Sequence, residues 1–146
     1  HATIRRQRQM CIRDSFSRVQ AGEIEIFYRT EGVDVDFVDN VNVMVQSALI
    51  PRTEAQLAEV CRILPGEFAR MFGRPVAMDE CELRAVAGRP SLYLAFDGAL
   101  EGTKTLQYQV QRGGGETLIL TATAKIANVP RMLGEFEAMV ASIRPR

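Results

Sequence analysis

The chain has no tryptophan, and its single histidine is residue 1. A body without imidazole excludes Ser-His-Asp triads, His-assisted cysteine nucleophiles and most zinc sites. Cysteine is equally scarce: Cys11, Cys61 and Cys81 are the three present, and none has a partner at CxxC spacing. Cys61 and Cys81 each fall in an apolar phase of their segment, so buried free thiols are the expected state. A disulfide between them is the alternative, and it would indicate an oxidising compartment. No apolar run approaches membrane-spanning length. These absences lead to an expectation of no catalytic residues, no cofactor and no metal ligands.

Net charge is absent as well, with 18 basic and 18 acidic residues, but the balance is uneven along the chain. Residues 1–15 hold four arginines, Arg5, Arg6, Arg8 and Arg13, and one aspartate, Asp14, so 14 basic and 17 acidic residues follow. Read back into codons, Arg5 to Asp14 matches a transposase-type sequencing adapter in one frame; a genuine basic interaction arm is the alternative. The expectation is an adapter-derived segment at 1–15 that is not native. Residues 16–146 would then be a single domain from a metagenomic read, truncated at its N-terminus. Without the arginines no basic patch remains, and no nucleic-acid partner is expected.

What the body does contain is periodicity. "EIEIFYR" (Glu23 to Arg29) alternates as a strand. Val33, Val35, Phe37, Val41, Val43 and Val45 then keep one phase of a second strand, interrupted by Asp39. Thr53, with Gln56 three residues on, opens a helix. Leu57, Val60, Cys61, Leu64, Phe68, Met71 and Phe72 form its apolar face, and Pro65-Gly66 should kink or split it. After Gly73 come strands joined by tight turns at Gly88-Arg89-Pro90, Asp97-Gly98 and Gly113-Gly115, which allow only antiparallel neighbours. Leu106, Tyr108 and Val110 share a face, as do Leu118, Leu120 and Ala122; Gln107, Gln109 and Gln111 occupy the opposite one. A last helix starts near Pro130 and buries Met132, Leu133, Phe136, Met139, Val140 and Ile143. Strands and helices are segregated, which predicts an α+β fold: an antiparallel sheet of about five or six strands with helices packed on it.

Each cluster of polar residues has a bland reading. Asp34, Asp36 and Asp39 suggest a cation site, but Val38 and Asp39 stand where an EF-hand loop needs a ligand and a glycine; a solvated edge fits better. Gly113 to Gly115 precede a strand, not a helix, and read as a hairpin turn. Asp79, Glu80 and Glu82 offer carboxylates for acid/base work, yet alternation puts Glu80 and Glu82 on a solvated face opposite Cys81 and Leu83. Met44, Met71, Met78, Met132 and Met139 sit mostly at core phases. Asn40 and Asn42 are the weak candidates for partner binding, with a structural role as their alternative.

"DNVNVMVQ" (Asp39 to Gln46), the helix after it, "GRPSLYLAF" (Gly88 to Phe96), "TLQYQV" running on to "ETLILTATA", and "FEAMVASI" resemble, in order and spacing, the PsbP-like superfamily. That family includes an extrinsic photosystem II protein, a Ran-binding import factor, and bacterial DcrB-like and LpqN-like relatives. The resemblance implies an α/β/α sandwich over residues 23–146. It also implies an opening strand, which the sequence reading places among what was lost with the N-terminus. The function it implies is a non-enzymatic accessory, chaperone-like or adaptor module that recognises a protein, or a lipid. A small carboxylate-dependent hydrolase is the alternative. The bacterial cell envelope and the cytoplasm both remain open as its location.

Overall fold

A computed structural model describes residues 16–21, 24–29 and 37–143. Among these residues seven antiparallel strands form one sheet: β1 (Phe16–Ala21), β2 (Ile24–Arg29), β3 (Asn40–Ser47), β4 (Met78–Val86), β5 (Arg89–Asp97), β6 (Thr103–Gln111) and β7 (Glu116–Lys125). Their order is β1-β2-β3-β7-β6-β5-β4, so the C-terminal meander is joined by β7 to the N-terminal strands. Among the described residues two α-helices, α1 (Glu54–Phe72) and α2 (Val129–Ala141), lie on opposite faces.

The sheet has one strand beyond the expected five or six because Phe16–Ala21, which the sequence did not mark as a strand, pairs along the whole of β2. The edge beside β2 is therefore occupied in this chain. Asp34 and Asp36 lie outside the described residues.

Face assignment follows the alternation. On one side Phe27, Val41, Val43, Leu106, Tyr108, Val110, Leu118, Leu120 and Ala122 form the main core under Met132, Phe136, Met139 and Val140 of α2. Leu133, assigned to this core by spacing, is instead 38% exposed. On the other side Leu92, Leu94 and Phe96 of β5 meet Leu57, Val60, Leu64, Phe68 and Phe72 of α1. Because β5 is covered on both faces, Leu92 to Phe96 are all buried and none is charged, instead of alternating with solvent-facing polar residues.

Helix α1 begins where the capping pattern placed it: the Gln56 amide donates to Thr53 Oγ1 at 3.1 Å, and the Arg52 amide donates to Gln56 Oε1 at 2.8 Å. Gly73 ends it in the left-handed region, φ 71°, with its amide bonded to Ala69 O. Of the two outcomes expected at Pro65-Gly66, a kink or a split, the helix is not split: it runs unbroken through Pro65. Proline lacks only the one amide that would reach Cys61 O, and the apolar contacts on either side of it hold the two halves to the same strand.

The cysteines are also corrected. Cys61 on α1 and Cys81 on β4 form a disulfide, with Cα atoms 5.9 Å apart, not two free thiols. Their apolar phases had suggested buried thiols, but those phases face each other across the helix-strand contact. That brings the two residues within bridging distance.

Asp39 is not on a solvated edge. It is buried and accepts from Arg29 Nε at 3.2 Å, while Arg29 also pairs with Glu135 of α2. Asn128 Nδ2 and Arg131 approach the same carboxylate at 3.4 and 3.5 Å. An aspartate in an apolar phase is tolerated because its charge is met inside the protein.

A candidate binding groove beside the first helix

Helix α1 covers only one end of its face of the sheet. Register shows this directly: one rung runs Asn42, Thr121, Gln107, Leu94, Cys81, and the next runs Asn40, Thr123, Thr105, Phe96, Met78. Each rung is apolar where α1 lies above it and polar beyond the helix. Side chains from a single face of one sheet thus build both a core and an open floor.

At the boundary is a groove of about 330 Å³. Phe68, Met71 and Phe72 of α1, with Phe96 and Leu100, make one wall; Thr105, Gln107, Thr121, Thr123 and Asn40 make the floor. Phe68 stacks on Phe96 with ring centroids 4.3 Å apart, which fixes the C-terminal half of α1 on the sheet. Arg74, just past the helix, donates to Gly98 O and Ala99 O and ties this end of the helix to the β5–β6 turn. Gly98 is required there, because any Cβ would overlap Thr103 Oγ1.

The floor is pre-ordered. Gln107 Nε2 donates to Thr121 Oγ1 at 3.0 Å, Gln109 Nε2 donates to Gln107 Oε1 at 2.8 Å, and the Thr105 and Thr123 hydroxyls are 3.3 Å apart. Among the described residues, none lining the groove is charged. On the rim Met71 is 74% and Leu100 57% exposed. Met71 was assigned to the core by its helical spacing; the helix overhangs the polar rungs there, and its side chain has no apolar strand beneath it. The arrangement suits a segment with an apolar side that also needs neutral hydrogen-bonding groups.

Asn40 lines the groove and donates from Nδ2 to Val38 O at 3.1 Å, satisfying nearby backbone. Asn42 is half-buried on the same face, opposite Thr121, outside the groove lining. Periodicity had separated Gln107 and Gln109 from the core without placing them in a site; Thr121, opposite Gln107 in β7, was the unread signal.

The carboxylates considered for acid/base work lie on the other face or at the β4 edge. Asp79 and Glu80 border a pocket of about 190 Å³ with Tyr93 and Lys104. Lys104 Nζ is 2.8 Å from Asp79 and 2.6 Å from Asp97, and its hydrogen bond, with that of the Ala77 amide, holds the Asp97 carboxyl below its ordinary value. Arg84 spans Glu82 at 2.5 Å and Glu80 at 3.5 Å and lies 3.7 Å from the Tyr93 ring centroid. It also donates to Tyr108 Oη at 2.6 Å, and Tyr108 donates to Glu137. Burial, with Glu80 nearby, pushes the Tyr93 phenol up to about 12. The cluster is an ion-paired edge in which each carboxylate named has a cation beside it.

Among the described residues no group of three or more His, Cys, Asp or Glu is gathered as a metal site would require, and no helix is long and apolar enough to cross a membrane.

This architecture is an α+β sandwich of the PsbP-like fold, and solved structures bear that out at low sequence identity. The solution structure of cyanobacterial PsbP from Synechocystis sp. PCC 6803 aligns with a TM-score of 0.60 at 12% identity, over 93% of this chain and 95% of that one. LpqN, described as involved in cell envelope biogenesis of Mycobacterium tuberculosis, aligns at 0.65 and 13%, over 90% and 78%. A Pseudomonas aeruginosa protein of unknown function, a putative regulator, aligns at 0.62 and 16%, over 90% and 97%. No protein-family description and no curated protein matches the sequence.

Proposed function

We propose that this chain is a non-enzymatic accessory module of an oxidising compartment, such as the bacterial cell envelope, and that it recognises a protein partner through the groove beside α1. The observation that carries the reading is the groove itself. An uncharged, hydrogen-bonded floor faces an aromatic wall, and two large apolar side chains, Met71 and Leu100, stand exposed at its rim. Surfaces of this kind serve docking better than proton transfer. The disulfide supports the compartment, since such bonds persist where thiols are not kept reduced. The involvement of LpqN in cell envelope biogenesis supports that location. A protein segment fits the polar floor better than a lipid chain, because Gln107 and Asn40 offer amide groups, and Thr105, Thr121 and Thr123 hydroxyls, that pair with backbone.

Selection of peptides from a random displayed library against the folded protein tests the reading. Enriched peptides should bind the Met71→Asp/Leu100→Asp variant at least about tenfold more weakly, a loss typical of removed apolar anchors. Equal binding to both proteins would contradict it, as would the absence of any enrichment.

A further inference from the structure

Helix α1 is held to the sheet in an unusual way. None of its residues is fully buried, whereas α2 buries Met132, Phe136, Met139 and Val140. Its contacts are half-buried side chains over β5 and the edge strand β4, plus one covalent bond. That bond meets the helix at Cys61, the residue whose carbonyl would receive the amide that Pro65 lacks. The disulfide and the gap in the helical hydrogen-bond ladder therefore coincide. Seven to eleven residues further on stand Phe68, Met71 and Phe72, which are the groove's wall.

We propose that the Cys61–Cys81 disulfide is a redox latch: reduction by a dithiol releases α1 from the sheet while the rest of the fold stays formed. Both sulfurs belong to half-buried residues, so an attacking thiolate can reach them. The thiolate displaces one cysteine sulfur and forms a mixed disulfide with the other. The reductant's second thiol then displaces that one, leaving two cysteine thiols, while the reductant, having given up two electrons, becomes a disulfide. The sheet keeps its core because that core lies on the α2 face and includes neither cysteine. On the groove reading above, release also removes the apolar wall and weakens binding there.

Hydrogen exchange on the full chain, oxidised and then reduced in place with dithiothreitol, tests the latch. Amides of Glu54–Phe72 should exchange about tenfold faster or more after reduction, with β6, β7 and α2 changed less than about twofold, the pattern of local rather than global opening. The Cys61→Ser/Cys81→Ser variant should match the reduced chain; if that variant does not fold, the chain reduced from the folded state still gives the readout. Unchanged exchange in α1 would overturn the latch, and so would faster exchange spread evenly over sheet and helices. Peptide affinity separates the two proposals. Faster α1 exchange with undiminished affinity would sever the latch from the groove, while the Met71→Asp/Leu100→Asp comparison in the oxidised chain judges the groove by itself.

Discussion

Arg29, Asp39 and Glu135 link β2, the residue just before β3, and α2 through a charge cluster whose first two members are only 4% and 2% exposed at the side chain. Removing the cation leaves a carboxylate in a low-dielectric site, so Arg29→Met should cost about 3 kcal/mol, measured by urea unfolding. A change below about 0.5 kcal/mol would mean that Asn128 and Arg131 suffice for Asp39. The Asp97 carboxylate behaves differently because its partner, Lys104, is nearer to solvent. Its folded-state pKa is lowered, so the stability it contributes is present above the ordinary carboxylate range and is lost as pH falls through the folded value. Asp97→Asn should therefore be less stable than the parent at pH 7 by roughly 1 kcal/mol, and the gap should close in thermal melts taken below about pH 4. Asp39 shows a limit of sequence reading at this scale. Its odd-numbered phase placed it on the core face, and Arg29 shares that face through its own strand, but only the β2–β3 register brings the two together.

Among the elements, the meander and α2 were legible because each buries one clean stripe: Leu106, Tyr108 and Val110 against Leu118, Leu120 and Ala122, with Met132, Phe136 and Met139 above. Strand β1 was not, since "FSRVQA" lacks the apolar alternation that marked its neighbours. The turn before β5 was read one residue late. Ala87-Gly88 forms the two-residue link between the paired Val86 and Arg89, and Ala87 adopts φ 51° there. A Cβ-bearing residue pays for the left-handed region, and asparagine tolerates it better than alanine. Ala87→Asn should thus stabilise the chain by about 1 kcal/mol, seen as a rise of roughly 3 °C in Tm. A lowered Tm would show that the hairpin relaxes in solution to another turn.

For the whole molecule, the sequence carried the sandwich but not its one-sided coverage. Threonine and glutamine in β6 and β7 announce a polar face; where α1 comes to rest above it depends on Phe68 stacking over Phe96 and on the bridge from Cys61 to Cys81. Residues 20 apart on a helix and a strand give no spacing signal, so the disulfide, and with it the groove's position, became visible only in three dimensions. The same coverage places Asn40 in the groove lining and Asn42 one rung away. On the function proposed above, this groove is the docking surface. Backbone NMR shifts recorded while a selected peptide is added put that to the test. The largest changes should cluster on Phe68 to Phe72, Ala99 to Thr105 and Thr121 to Thr123. Changes confined to the α2 face or to the β4 edge would contradict it.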